Sequence, residues 1–184
     1  MIYPIYVYGT PVLRKVAEDI TPDYPNLKEF IEDMWETMYF SDGLGLAAPQ
    51  VGKSIRLFVI DGSPMEEDEP KLKDFKKVFI NAKITERVEE EILYNEGCLS
   101  IPLLREDVDR PIKIRMEYYD ENFNFHDEWF DGMAARVIQH EYDHLEGILF
   151  VDRLAPLKKR LLKGKLNSIM KGKFKVDYKV KLPK

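Results

Sequence analysis

The sequence predicts an α+β fold, and three observations carry that prediction. Short apolar stretches with strand character occupy the middle of the chain, between Ile55 and Phe130. A single helical stretch holding His140-Glu141-Tyr142-Asp143-His144 follows them, and a second amphipathic helix comes later. No repeat interrupts this order. At 184 residues and 45% apolar content the chain can bury a sizeable core, so residues 1–184 are read as one domain.

The elements follow from local pattern. Between Pro25 and Tyr39 the residues Leu27, Phe30, Ile31, Met34, Trp35 and Met38 recur at three and four, which is one face of a helix. Ser41-Asp42-Gly43 ends it. The small residues from Gly43 to Gln50 read as a loop, and Ile55 to Ile60 as a buried strand. Residues 61–77, rich in Pro, Glu, Asp and Lys, read as a polar surface insertion. Strands are expected at 78–84, 87–94, 112–119 and 123–130. Asp131 is the expected N-cap of the histidine helix, and Gly147 its stop. A helix over 154–170 and a short strand over 174–180 complete the reading.

Charge is unevenly distributed. Residues 157–184 contain eleven Lys/Arg and one acid, a balance of +10, so the remainder carries −15 against the total of −5. Such a basic C-terminal tail is either a solvated helix face or a surface for a polyanion. Met1 to Ile5 lacks the basic and apolar regions of a signal peptide, and no stretch is long and apolar enough for a membrane span. One cysteine, Cys98, excludes an internal disulfide framework. A soluble cytoplasmic protein is expected, with neither membrane nor DNA as partner.

His140 and His144 are two of only three histidines, four residues apart. On a helix that spacing puts both imidazoles on one face, where they can address one metal ion. Glu141, beside them, can take a proton from an activated water. Such a site needs a third protein ligand and an open position. A third histidine six residues beyond His144 would suit, but Phe150 stands there, and no glutamate follows Glu146. The remaining soft ligand is Cys98, with His126 its competitor on an expected strand edge. A zinc endopeptidase and a structural metal module are the other readings of these residues.

Three blocks, Gly43-Leu44-Gly45-Leu46-Ala47-Ala48-Pro49-Gln50, Glu96-Gly97-Cys98-Leu99-Ser100 and Gln139-His140-Glu141-Tyr142-Asp143-His144, together resemble the signature motifs of bacterial peptide deformylases. Tyr8 to Arg14 resembles that family's N-terminal segment. The likeness spans Tyr3 to Val151, leaving the 61–77 insertion and the chain after Ala155 outside it. It implies β-sheets packed around the central H-E-x-D-H helix, and a hydrolase that removes the formyl group from N-formylmethionine on nascent polypeptides. It also implies Cys98, His140 and His144 as ligands to Fe2+, with Zn2+, Ni2+ or Co2+ able to substitute, and Glu141 as the proton carrier. Gln50, through its side chain, and Leu99, through its N–H, then stabilise the oxyanion.

The resemblance and helical phase together outline a substrate pocket. Met133, Arg136 and Val137 share the face that leads to the histidines, at about 100° per residue. With Leu44 and Tyr94 they border the slot for the methionine side chain, although Met133 and Val137 could equally be core. Arg136 is a charge where an apolar residue is expected. Arg105 either holds the peptide backbone or forms a surface salt bridge, and Gly43 and Gly45 are expected to let substrate approach a strained loop. Asp143 either orients a histidine, pairs with a buried base, or is simply exposed. Since formylated nascent peptides emerge from ribosomes, the basic tail is a candidate for contact with ribosomal RNA.

Overall fold

A computed structural model describes all residues from Met1 to Lys184. Its centre is a five-stranded antiparallel sheet in the order β2-β3-β4-β7-β8, formed by Gly45–Ala47, Leu57–Asp61, Lys76–Arg87, Lys113–Tyr119 and Phe125–Asp131. Strand β3 is buried at every residue. Its side chains alternate: Leu57 and Val59 enter one core cluster, Phe58 and Ile60 another. Strand β4 does the same as far as Ile80, with Val78 and Ile80 on one side and Phe79 on the other. At the irregularity around Asn81, φ +52°, the phase shifts and Ala82 joins the side of Phe79. The two-residue period of a strand thus sorts an unbroken apolar run into two cores.

A helix covers each face. Helix α1 (Leu27–Phe40) packs Phe30, Ile31, Met34 and Met38 onto the first, and α2 (Gly132–Leu145) packs Ala135, Ile138, Tyr142 and Leu145 onto the second. Toward the sheet edge, β7 buries Ile114, Met116 and Tyr118, while Lys113, Arg115 and Glu117 point away. Strands β5 (Glu91–Cys98) and β6 (Ile101–Pro111) form a separate two-stranded sheet. A third core joins β6 to helix α3 (Pro156–Met170) through Leu104, Val108, Leu162, Leu166 and Ile169. The last strand, β9 (Val180–Lys181), lies parallel to β1 (Ile5–Tyr6).

The α+β expectation and the central histidine helix hold. Several details differ. The stretch after Leu44 is strand β2 followed by a 3-10 turn at Ala48–Val51, because Leu46 and Ala47 pair with β3. The expected strand at 87–94 falls instead on Glu91–Cys98, and β6 was missed altogether, its alternation hidden among charged residues. Residues 61–77 are no plain surface excursion: Asp61 ends β3, Lys76 opens β4 and Leu72 is buried. Asp131 occupies the N-cap position of α2 but its side chain makes no capping hydrogen bond. Gly147, at φ +71°, follows the helix end as expected, and a Cβ there would lie 2.7 Å from the Arg14 carbonyl oxygen.

Candidate metal centre and cleft

Cys98 is the last residue of β5, and Leu99-Ser100 make the two-residue turn into β6. The pairing register jumps there, from Gly97↔Arg105 to Cys98↔Ile101, so Pro102, Leu103 and Leu104 bulge out of the ladder. Leu103 takes φ +63° and is 78% exposed. This bulged turn brings Cys98 against α2. The Cys98 Sγ and one ring nitrogen each from His140 and His144 lie within 4.8 Å of one another. His144 Nε2 is 3.4 Å from the sulfur. His126 is remote in function: it pairs with Asp120 at 2.8 Å and stacks on Tyr118.

Glu96, two residues before the cysteine, sits behind this group and is buried. Its carboxylate accepts from His140 Nδ1 at 2.8 Å, from Arg110 through two nitrogens at 2.7 and 2.9 Å, and from Arg136 Nη1 at 2.7 Å. Arg110 also donates to Asp143 at 2.8 Å, and Arg153 donates to Asp143 at 2.6 and 2.7 Å. A continuous chain of charge therefore runs from His140 to Arg153. Burial raises the Glu96 pKa, but the bonds from His140 and Arg110 outweigh it and hold the carboxyl far below its ordinary value. With Nδ1 occupied, His140 has its Nε2 left for the centre.

The two histidines differ. Burial lowers the pKa of both, but in His140 the hydrogen bonds to Cys98 and Glu96 reverse the sign and raise it. In His144 burial and the charge of His140 act together and lower it, and its buried Nδ1 has no partner. Glu141 is 4% exposed, and one of its carboxylate oxygens, Oε2, is likewise unpartnered. Burial, aided by Glu96 and opposed by His140, pushes its pKa up to about 7. A Cβ on Gly45 would come within 2.8 Å of Glu141 Oε1 and Cγ. The expected strained loop is absent, since neither Gly43 nor Gly45 has positive φ, and Gly45 instead gives Glu141 its space.

Gln50 is 1% exposed, not a surface glutamine. Its Oε1 accepts from the Ala47 N–H at 2.9 Å, and its Nε2 lies 3.1 Å from Ser100 Oγ and 3.6 Å from Cys98 Sγ. In front lies a cleft of ≈ 730 Å³, lined by Gly43, Leu44, Gly45, Gln50, Tyr94, Cys98, Leu99, Arg105, Met133, Arg136, Val137, His140 and Glu141. His144 stands behind it. Arg136 does not bring a free charge to the cleft: besides Glu96, it donates to the Val108 and Ile92 carbonyls at 2.8 and 2.5 Å. Arg105 donates to the side chain and carbonyl of Asn95 rather than to an acid. Asp143 pairs with two buried or half-buried bases, the second of its three readings. Missed from sequence were Glu96, Arg110, Leu103, Val176 and Tyr178, together with Pro64 and Met65, which bring the 61–77 segment to the cleft. Glu96 could have been found, because it shares a strand face with Cys98.

Residues 2–160 match the family model described as polypeptide deformylase. The chain belongs to the polypeptide deformylase family. A peptide deformylase of Christiangramia forsetii is 56% identical over 190 residues, covering 100% of this chain and 97% of its own. One from Flavobacterium psychrophilum is also 56% identical, covering 99% and 97%. The crystal structure of peptide deformylase from Thermotoga maritima, 43% identical, superposes with a TM-score of 0.76, covering 85% of this chain and 99% of that one. The Plasmodium falciparum enzyme in complex with inhibitor gives 0.79 at 35% identity, covering 91% and 99%. As a polypeptide deformylase the chain is a metal-dependent hydrolase that removes the N-terminal formyl group from nascent polypeptides. The endopeptidase and structural-module alternatives give way to it. No helix is long and apolar enough to cross a membrane.

Proposed function

We propose that Cys98, His140 and His144 hold a single Fe2+, with Zn2+, Ni2+ or Co2+ able to replace it, inside one catalytic domain made by residues 1–184. The donor set fits: one thiol and two imidazoles converge, one imidazole is braced by Glu96, and a buried acid with an unpartnered oxygen stands alongside. When bound, a divalent cation supplies Lewis acidity that lets a water react near neutral pH. Everything else falls to the chain. Glu141 accepts the proton from the attacking water and delivers it to the departing amine. A buried carboxyl whose affinity for protons already lies near neutrality suits both transfers. The Gln50 side-chain amide and the Leu99 N–H donate to the formyl oxygen as it gains charge.

Leu44, Tyr94, Met133 and Val137 flank the methionine side chain, while Arg105 and the Gly43–Gly45 segment contact the peptide backbone. Arg136 acts behind this wall, through Glu96. The substrate is a formylated nascent peptide, met in the cytoplasm, and the basic residues from Leu157 onward contact ribosomal RNA. Of these supports, the apposition of Glu141 to the Cys98/His140/His144 group carries the reading. Glu141→Ala, purified anaerobically, is expected to keep its metal while formate release from a formyl-Met peptide falls by about 10²–10⁴. Metal loss in step with activity would instead make Glu141 a ligand.

A further inference from the structure

The family match ends at residue 160, yet two residues well beyond it, Val176 and Tyr178, line the cleft. The chain leaves α3 through Gly172, at φ +73°, where a Cβ would meet Leu182 Cδ1 at 2.7 Å. Phe174 packs against the core shared by β6 and α3. Farther on, β9 is locked to β1: the Ile5 N–H donates to the Lys179 carbonyl at 2.8 Å, and the Val7 N–H to the Lys181 carbonyl at 3.0 Å. The intervening segment is thus anchored at both ends and contributes Val176 and Tyr178 to the cleft lining.

Tyr178 makes the specific contact there. Its hydroxyl donates to the Leu99 carbonyl at 2.9 Å, and its ring packs against the core under α1. Leu99 and Ser100 form a two-residue turn at the end of a bulged hairpin, so the β5–β6 ladder does not hold them. Three outside contacts do: Tyr178 on the Leu99 carbonyl, the Tyr8 N–H on the Ser100 carbonyl at 2.8 Å, and Gln50 Nε2 at Ser100 Oγ. We infer that residues 174–181 form a strap at the substrate cleft, in which Tyr178 is a positioning residue that holds the Leu99 turn ready to donate to the formyl oxygen. The inference rests on the role given above to the Leu99 N–H. Phe174, Val176, Tyr178 and Val180 are partly buried and alternate with the exposed Lys173, Lys175, Asp177 and Lys179. Phe174 and Val180 anchor the segment on the core shared by β6 and α3, while Val176 and Tyr178 line the cleft.

Tyr178→Phe keeps the ring and removes only the hydroxyl. In the metal-loaded enzyme, kcat on formyl-Met-Ala-Ser is expected to fall about three- to tenfold, the worth of one ordinary hydrogen bond, with KM little changed. Hydrogen exchange at the Leu99 amide, followed by NMR, is expected to accelerate. Tyr178→Leu, which also removes the ring edge, should move both readings in the same direction. Unchanged exchange at Leu99 in both variants overturns the strap, whatever happens to kcat. Faster exchange with undiminished kcat also overturns the inference, and locates the fault in the role assigned to Leu99.

Discussion

The wall behind the metal centre and the cleft in front of it are built on opposite principles. Behind, Glu96, Arg110, Arg136 and Asp143 are buried and joined by charge-assisted hydrogen bonds, most of them from guanidinium groups with several donors each, and only Glu96 and Arg136 of the four reach the cleft lining. In front, the cleft is framed by three glycines, a bulged turn and the largely exposed Leu103. Rigidity comes from the buried charge network and access from the open cleft. The reason is geometric: ligand side chains must not move once aimed, whereas a peptide must enter and leave.

The largest effect should come from breaking the rear wall. Arg110→Met removes the only group bridging Glu96 and Asp143 and leaves two buried carboxylates short of partners. A loss of about 3–5 kcal/mol in unfolding free energy is expected by urea titration. Should stability hold, Arg136 and Arg153 alone neutralise the wall. Gln50→Leu lies on the boundary between the two regions. It should lower kcat by about 10²–10³ with little change in KM. A pure KM effect would mean that Gln50 only positions the ground-state substrate. Leu103→Ala, in front, should change stability by less than about 0.5 kcal/mol, as exposed substitutions do. A larger loss in thermal unfolding would show that the bulge needs this side chain for its shape.

The same contrast governs what could be read from the sequence. Cys98, His140, Glu141 and His144 were legible because their chemistry dictates residue type and, on a helix, spacing. Strands β3 and β7 announced themselves through apolar run and alternation. The rear wall was hidden: Arg110 and Glu96 meet across the β5–β6 hairpin, and its bulge breaks simple register counting. Strand β6 escaped because Arg105, Glu106, Asp107 and Asp109 obscure its inward Leu104, Val108 and Arg110. Arg136 appeared to spoil an apolar rim, since nothing in the local sequence indicates that Glu96 and two carbonyls consume its donors. The reach of Val176 and Tyr178 depends on pairing between the chain's last strand and its first, a contact of maximal sequence separation.

The hairpin of β5 and β6 shares no backbone ladder with the five-stranded sheet. Cys98 belongs to that hairpin, whereas His140 and His144 belong to the helix packed on the sheet, so the centre lies on a seam between two separately hydrogen-bonded units. An ion bridging such a seam is also a cross-link. The free energy with which it binds is then partly the free energy that keeps the two units together, and affinity for metal and resistance to unfolding become one linked quantity.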